Sequence, residues 1–500
     1  MKILIRTVVA LLLFFVFLLI LFSIPAVQTS VAKKLTKSIR EQSDVDVSVG
    51  RVSFSYFGKV KLNEVLVKDH HDDTLLDIQE FRTSILGIPN LIANNPSLGS
   101  STAEGLVFKM KRYKGEDSDN LSILLDKLKT EPTGESKQFK LKVRDMFISD
   151  GYYSFIDENN SNPEIIILDK LELQAEYLAV IDQDFSVSIN SLQAEEGRGI
   201  DIRDLKTDFS YSSTKMKLDS FLLITPYSRL DGSIEMNYTL DDFSDFLNKV
   251  NFNASFKESN ISTNDLVNFY APFGSNQNIQ LTTELDGTLN NFDLTNLDLK
   301  GMDRSRIDGV MNIKGVFSDE MEDFILTGNF NELASNYYDL VNLLPSILKD
   351  KLPLTLREFG NLRLTGKTVI TKNSLDADVL INTQLGSAKA DFVMNNISNS
   401  ENVNYKGNLV FNQFNIGRLL DNKDLGKTSL NLNIDGSGFT PESLNTQIRG
   451  KISRLNFKNY TYSDISILGN VRNSVFNGNF NSNDPNFKLE FNGLVDISKK

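Results

Sequence analysis

The sequence predicts a mainly β protein. We expect an elongated, curled and repetitive sheet that forms an open groove with an apolar inner face, together with a few short amphipathic helices and one N-terminal transmembrane helix. Apolar and polar residues alternate in short runs over roughly 400 residues, as in strands whose side chains point alternately to two faces. A glycine recurs in the apolar phase of these runs, and an unbroken apolar stretch opens the chain.

The apolar stretch runs from Ile3 to Ile24 and is followed by Pro25. As a helix, its 22 residues would span about 33 Å, enough to cross the core of a bilayer. A cleaved signal peptide, the main alternative, has a shorter apolar region and a cleavage site close behind it. We therefore expect an uncleaved anchor at residues 1–25, although basic residues on both sides of the stretch leave the orientation open on charge alone. The anchor residues that we single out are Ile3, Leu12, Phe15, Leu19 and Ile24.

Residues 26–140 predict juxtamembrane strands and a helix, and residues 141–500 predict one repetitive β groove that continues without a clear boundary. Apolar residues at helical spacing interrupt the alternating runs and predict short amphipathic helices. These helices recur at loose intervals, as if each one closes a block of strands. They are expected at residues 121–128, 243–250, 266–270, 337–348 and 416–420.

One apolar face of a sheet must be covered, either by a second layer, by closure, or by something apolar that the sheet surrounds. Glycines on this face weaken close packing and permit strong coiling, and the predicted helices are too few to cover every strand. We therefore expect a groove. Its predicted lining residues are Leu281, Leu285, Met311, Ile313, Leu326, Phe330, Leu409, Phe411, Leu432, Ile434, Leu489 and Phe491. Its predicted face glycines are Gly287, Gly309, Gly315, Gly328, Gly407, Gly436 and Gly493.

Composition narrows the classes of function. The net charge is −12, which argues against a nucleic-acid partner, because phosphate binding needs a basic surface. The chain has no Cys, so disulfides, thiol catalysis and Cys-based metal sites are excluded. It has only two His, so general acid–base chemistry by imidazole depends on a single short segment.

That segment reads Asp69-His-His-Asp-Asp73, and its residue types could bind a metal. Adjacent His side chains usually diverge, however, and the segment is typical of a polar turn between strands at 60–67 and 75–78. Residues 360–368 resemble a phosphate loop, but five residues separate the glycines instead of four, and the segment has the alternation of a strand. We expect no catalytic residue, no cofactor and no metal.

Several segments together resemble a known family. They are the apolar helix followed by Pro25-Ala-Val-Gln28, residues 47–52, the strand at 62–69 with its exit Asp73-Thr-Leu-Leu76, and a recurring strand pair at 141–157. With the glycine-phased repeats and the helix at 333–352, this pattern resembles the TamB-type proteins of the AsmA-like superfamily. The resemblance covers most of the chain.

The resemblance implies an inner-membrane anchor and a β-rich groove in the periplasm of a diderm bacterium. It implies transport of phospholipid towards the outer membrane, with acyl chains in the groove, or assistance to the assembly of outer-membrane or secreted proteins. The family usually ends in a C-terminal domain that engages an outer-membrane barrel partner. Since the sequence stops at Lys500 just after another strand, we expect the N-terminal part of such a protein.

The leading hypothesis is a non-enzymatic lipid conduit. An assembly factor that pairs a strand edge with a nascent barrel strand remains open. An outer-membrane barrel is disfavoured because it would have a cleaved signal and aromatic girdles, and the chain lacks Trp. An enzyme is disfavoured by the empty search for catalytic residues, and a structural β-solenoid stays possible.

Overall fold

The structure, a computed structural model, describes residues 46–55, 58–86, 97–129, 140–159, 164–181, 184–197, 199–268, 271–317, 322–343, 345, 352 and 354–496. The predicted anchor, with all its named residues, lies outside these ranges; within them, no helix is long and apolar enough to cross a bilayer. The chain divides into two compact units, Met1–Leu240 and Asp241–Lys500. Strands hold 70% and helices 9% of the described residues, so the prediction of a mainly β fold is confirmed.

Ten strands form the sheet of the first unit, and each pairs with its neighbours in the sequence. The pairs are antiparallel, with one parallel exception between the fourth and fifth strands. The strands are β1 Val47–Phe54, β2 Lys59–Lys68, β3 Thr74–Ser84, β4 Ser97–Arg112, β5 Lys140–Asp157, β6 Glu164–Ile181, β7 Asp184–Glu196, β8 Ile200–Tyr211, β9 Lys215–Ile224 and β10 Arg229–Asn237.

The parallel pair β4–β5 needs a crossover, because the end of one strand and the start of the next lie at opposite ends of the sheet. The crossover contains the helix Asn120–Lys129, which the leucine spacing predicts. Its start is capped by Asp119, whose Oδ1 accepts a hydrogen bond from the amide of Ser122 at 2.9 Å. A buried cluster joins β2–β5 and is made of Val65, Ile78, Ala103 and Ile148.

Fourteen strands form the sheet of the second unit, and every neighbouring pair is antiparallel. The short turns between them are rich in Asn, Asp, Ser and Gly, as expected for hairpins. The strands are β11 Asn251–Ser262, β12 Asn278–Thr288, β13 Asn291–Gly301, β14 Ser305–Lys314, β15 Ile325–Ser335, β16 Leu362–Thr371, β17 Ser374–Thr383, β18 Gly386–Asn395, β19 Asn404–Asn415, β20 Leu425–Ser437, β21 Asn445–Phe457, β22 Tyr460–Arg472, β23 Val475–Asp484 and β24 Phe487–Asp496.

Short helices follow β11, β15 and β19, that is, every fourth strand. They are Thr263–Leu266, Tyr337–Leu343 and Ile416–Leu419. A polar residue at the end of the preceding strand caps two of them: Ser262 accepts a hydrogen bond from the amide of Asn264, and Asn415 from that of Arg418. The unit also contains the helix Phe246–Lys249 and the 3-10 helices Leu240–Asp245 and Leu354–Phe359. The prediction that helices recur between blocks of strands is confirmed.

The expectation of a curled sheet is wrong, since the strands form an open, uncurled sheet. Among the described pairings of the second unit, β11 pairs with β12 and β24 pairs with β23, so its first and last strands do not close on each other. The physical reason lies in the glycines of the apolar face. Coiling was expected from the space that they leave, but neighbouring side chains and backbone occupy that space, as described below.

Candidate functional sites

In the second unit, the strand register places apolar residues and glycines opposite one another on successive strands. Leu297 of β13 pairs with Gly309 of β14, which pairs with Phe330 of β15, and the series continues to the last strand. Because directly opposite residues share a face, such a series is a continuous row across the sheet. The row consists of Leu297, Gly309, Phe330, Gly366, Val379, Ala390, Leu409, Leu432, Gly450, Ile467, Phe480 and Phe491.

A second row on the same face lies two residues away along the strands and is nearly as apolar. It consists of Leu285, Leu294, Met311, Gly328, Thr368, Ala377, Phe392, Gly407, Ile434, Ile448, Gly469, Gly478 and Gly493. We call the surface built by these two rows and their same-face neighbours the apolar face. From Tyr405 to Phe411 it extends over seven residues of β19, which is six steps or about 20 Å at ~3.3 Å per residue.

The structure places all twelve sequence-predicted lining residues on strands of this sheet. Two lie at the extremes of exposure: Phe330 is buried, with 4% of its surface exposed, and Leu489 is exposed at 37%. The other ten are half-buried. A packed sandwich would bury such side chains almost completely. Their side-by-side contacts within one face therefore leave part of each side chain uncovered by the described residues.

The glycines of the apolar face make room for aromatic rings. The ring of Phe330 lies over Gly328, two residues away on the same strand, in the volume that a Cβ would need. At Gly407 a Cβ would meet the backbone carbonyl oxygen of Asp391 first and then the ring of Phe392, the cross-strand partner of this glycine. This arrangement shields a backbone that would otherwise lack side-chain cover. Six of the seven predicted face glycines lie within strands, whereas Gly315 lies just past the end of β14 in a turn with φ +71°.

One end of the apolar face is covered. Leu385, Ala388 and Phe414 form a buried cluster there, against which Phe359 and Leu419 pack from the two neighbouring helical segments. Helices follow β11, β15 and β19 at this same end of the strands. The helical segments that carry Phe359 and Leu419 thus cover part of this end of the face.

The opposite face of the same sheet is polar and charged. Arg306 lies 3.4 Å from Asp298, 3.1 Å from Asp308 and 3.3 Å from Glu332, so its charge is shared among three carboxylates, one on its own strand and one on each neighbouring strand. The hydrogen bond from Lys300 and nearby cations hold the pKa of Asp298 below its usual range. A shallow depression of about 380 Å³ lies beside Asp298 and Asp308, and polar residues line most of it, together with Leu297, Gly309 and Val310. The two faces therefore differ sharply in chemistry.

A second site lies in the first unit, at the turn between β2 and β3. The prediction of a turn at Asp69–Asp73 is confirmed, but the two imidazoles do not diverge as expected. Nε2 of His70 lies 2.9 Å from Oε2 of Glu116, and Nε2 of His71 lies 2.8 Å from Oε1 of the same carboxylate. The two rings hold their centroids 4.5 Å apart. We call these three residues the His–Glu cluster.

A buried carboxylate fixes the turn beneath the cluster. Asp69 accepts hydrogen bonds from the amides of His71 and Asp73, at 2.9 and 3.0 Å. It also accepts from the hydroxyl of Tyr113 at 2.7 Å and from the amide group of Asn120 at 2.9 Å. Burial raises the pKa of Asp69, but these four donors together lower it further, so the net pKa lies below the usual range. Asp69 is therefore ionised and ties the turn to the crossover.

Tyr113 completes the support of the cluster. Its ring packs on His71 with the centroids 3.9 Å apart, and its hydroxyl donates to Asp69 and to Asp73 at 2.7 and 2.8 Å. Burial and these two carboxylates raise the pKa of Tyr113, which stays a neutral donor. The hydrogen bonds from His71 and His70 lower the pKa of Glu116, whose carboxylate is the acceptor for both rings.

The sequence does not point to Glu116 and Tyr113 as companions of the His pair. More than forty residues separate Glu116 from His70 and His71, and the segment that carries it has only the composition of a charged loop. The antiparallel pairing of β4 with β3 places the end of β4, and the segment that follows it, beside the β2–β3 turn. Nothing in the local pattern predicts that pairing, so no local signal could have identified these residues.

Comparison with known proteins does not assign the chain to a family. No family model, curated protein or solved structure gives a significant match to the chain.

Proposed function

We propose that the apolar face of the second unit binds the acyl chains of phospholipids and that the protein is a non-enzymatic lipid carrier of a bacterial envelope. One observation carries the proposal: the register keeps apolar residues on one face across β12–β24, and most of their larger side chains remain half-exposed. Such a large and continuous apolar surface is a typical place for an apolar ligand or partner.

The chemistry of the two faces supports a lipid as that ligand. Aliphatic and aromatic side chains offer dispersion contacts and no directed hydrogen bonds, which suits a hydrocarbon chain of variable length. The opposite face, with its shared ion pairs around Arg306, keeps the sheet soluble in water. An acyl chain would lie along the apolar face while its headgroup stays in solvent.

The location follows from the beginning of the chain and from the family resemblance. The apolar stretch Ile3–Ile24 would anchor the protein in the inner membrane, with the bulk of the chain in the periplasm of a diderm bacterium. The segments that resemble TamB-type proteins point to transport towards the outer membrane. In this proposal the anchor holds one end of the protein at the lipid source.

The experiment compares adjacent positions on opposite faces of β14. Met311 belongs to the apolar face, whereas Val310 lies on the polar face with 44% of its surface exposed. A photo-crosslinking amino acid is placed at either position in the full chain, the cells are irradiated, and the purified protein is analysed by mass spectrometry. We expect phospholipid adducts at position 311 and only background at position 310.

Charged variants provide the second readout. Met311→Asp places a carboxylate against the hydrocarbon and should deplete co-purified lipid, while Val310→Asp should leave it unchanged, because a charge on the polar face stays hydrated. Far-UV circular dichroism of both variants checks that the sheet is intact. Equal adduct yields at positions 310 and 311, or a wild-type protein that purifies without lipid, would sink the proposal.

A second candidate function rests on the exposed last strand. No described strand pairs with the outer edge of β24, and four of its apolar residues are exposed, among them Leu494 at 69%. An edge of this kind can add a strand from another protein, as an assembly factor for barrel proteins would. A crosslinker at Leu494 should then capture a barrel protein, and one at Leu468 on the interior strand β22 should not. Equal capture at both positions would argue against it.

A further inference from the structure

The His–Glu cluster of the first unit has the composition of a metal site. The cluster brings together the only two His of the chain and one carboxylate. The potential ligand atoms, Nε2 of each His and the carboxylate oxygens of Glu116, all lie within 4.8 Å of one another. Small rotations of these side chains would place each atom at the ~2.0–2.2 Å that zinc requires.

The ligands are held in place before any ion binds. Asp69 fixes the backbone of the turn through the amides of His71 and Asp73. Tyr113 packs against the imidazole of His71, and its own hydroxyl is fixed by two carboxylates. Rigid support reduces the entropy that binding would otherwise cost and is typical of well-formed metal sites.

The surrounding charge favours a cation. Besides Glu116, the carboxylates of Asp69 and Asp73 lie at the turn, where both accept a hydrogen bond from the hydroxyl of Tyr113. Lys111, whose ammonium lies 4.3 Å from the centroid of the Tyr113 ring, pairs with Glu158 at 2.9 Å and lies 3.8 Å from Asp73. The side chains of His71 and Glu116 are 46% and 29% exposed, so an ion can enter from solvent and keep water in its fourth position.

We propose that His70, His71 and Glu116 bind one zinc ion, which fastens the β2–β3 turn to the crossover segment between β4 and β5. Two imidazole nitrogens and one carboxylate oxygen form a donor set that zinc prefers, whereas calcium and magnesium prefer oxygen donors alone. Without the ion, Nε2 of each ring lies within hydrogen-bond distance of Glu116; to bind the ion, each neutral imidazole would present the lone pair of Nε2 and carry its one proton on Nδ1. This proposal stands independently of lipid binding by the second unit.

In the test, the full chain is first stripped of metal with a chelator, and the chelator is removed. Zinc is then titrated into the protein, and binding is measured by isothermal titration calorimetry. We expect one equivalent of zinc to bind. Glu116→Gln and His71→Ala should each weaken binding by about tenfold or more, because each removes one ligand. Glu104→Gln removes the same charge from an exposed site on β4 and should leave the affinity unchanged. X-ray absorption of the complex should show nitrogen and oxygen neighbours at about 2.0–2.2 Å.

Selective labelling of His gives a readout that does not depend on affinity. The chain contains only two His, so the spectrum of the labelled protein has two imidazole environments, and zinc should shift both. Absence of binding, unshifted His signals, or a Glu116→Gln variant that binds as tightly as the wild type would overturn the proposal.

Discussion

At the scale of single residues, the glycines of the apolar face are explained by what lies next to them. At Gly287 the backbone has φ +128°, which side-chain-bearing residues rarely adopt. A Cβ there would lie 2.9 Å from Cα of Phe292 and closer still to the carbonyl oxygen of Asn291. At Gly493 the first atom that a Cβ would meet is Cζ of Phe491 at 3.4 Å, an ordinary contact. Two glycines with the same place in the sequence pattern therefore have different structural roles.

We therefore expect Gly287→Ala and Gly493→Ala to differ in stability. Gly287→Ala should lower the free energy of unfolding by about 1–3 kcal/mol, because the strained backbone must move. Gly493→Ala should change it by less than about 0.5 kcal/mol. Urea unfolding followed by far-UV circular dichroism measures both. Equal effects of the two substitutions would contradict the assignment of backbone contact at Gly287.

At the scale of elements, one carboxylate joins β22 to the turn between β23 and β24. The buried Asp484 accepts hydrogen bonds from the hydroxyl of Tyr460 at 2.7 Å, from the amide and hydroxyl of Ser463 at 2.9 and 2.8 Å, and from the amide of Asn486 at 2.9 Å. The hydrogen bond from Tyr460, followed by those from Asn486 and Ser463, lowers the pKa of Asp484 to about 2. The last hairpin is thus held by an ionised side chain.

The pH dependence follows from the sign of this shift. The pKa of Asp484 is lower in the folded protein than in the unfolded chain, so the stabilisation is complete above the ordinary pKa of about 4 and is lost as the pH falls towards about 2. We expect Asp484→Asn to reduce stability at pH 5.5 and to flatten its change between pH 5.5 and 2.5, measured by urea midpoints. The exposed Asp435 provides a control: Asp435→Asn should leave the dependence nearly unchanged. A steep dependence in Asp484→Asn would refute the role of this carboxylate.

At the scale of the whole molecule, the sheet of each unit is built mainly from neighbours in the sequence. Each strand from β12 to β23 pairs with the strand before it and the strand after it, and all these pairings lie within the second unit. Local pairing of this kind requires little chain closure and lets a repetitive unit form by successive addition of strands. The second unit therefore contains its own sheet, apolar face and helical cover.

We expect residues 241–500, produced alone, to fold. Their far-UV circular dichroism spectrum should be that of a β protein, and unfolding in urea should remain cooperative, because the hydrogen bonds of β11–β24 are satisfied within the fragment. The matching fragment 46–240 provides the comparison for the first unit. A fragment 241–500 that is unfolded or aggregated at concentrations where the full chain is soluble would contradict this expectation.

Much of the fold was accessible from the pattern of residues. The alternation around Leu409 and Leu432 predicts strands with one apolar face, and the leucine spacing before Lys129 predicts a helix that the structure contains. The curling was predicted wrongly, because the sequence shows glycine at position 328 but not the ring of Phe330 that lies over it. Where the ring lies depends on the side-chain rotamer of Phe330, and the alternation of residues along a strand does not predict a rotamer.

The sequence by itself determined the strand period, the single apolar phase of the repeats and the polar turn at Asp69–Asp73, because these follow from local chain geometry and from the side-chain alternation of a strand. Only the tertiary structure decided which residues meet across strands. Hydrogen-bond register aligned Leu297 with Phe491 through ten intervening strands, and the antiparallel pairing of β4 with β3 brought Glu116 to His70 and His71. Both outcomes depend on pairing between separate segments, and the free energy of that pairing depends on both segments together, so neither segment alone predicts it.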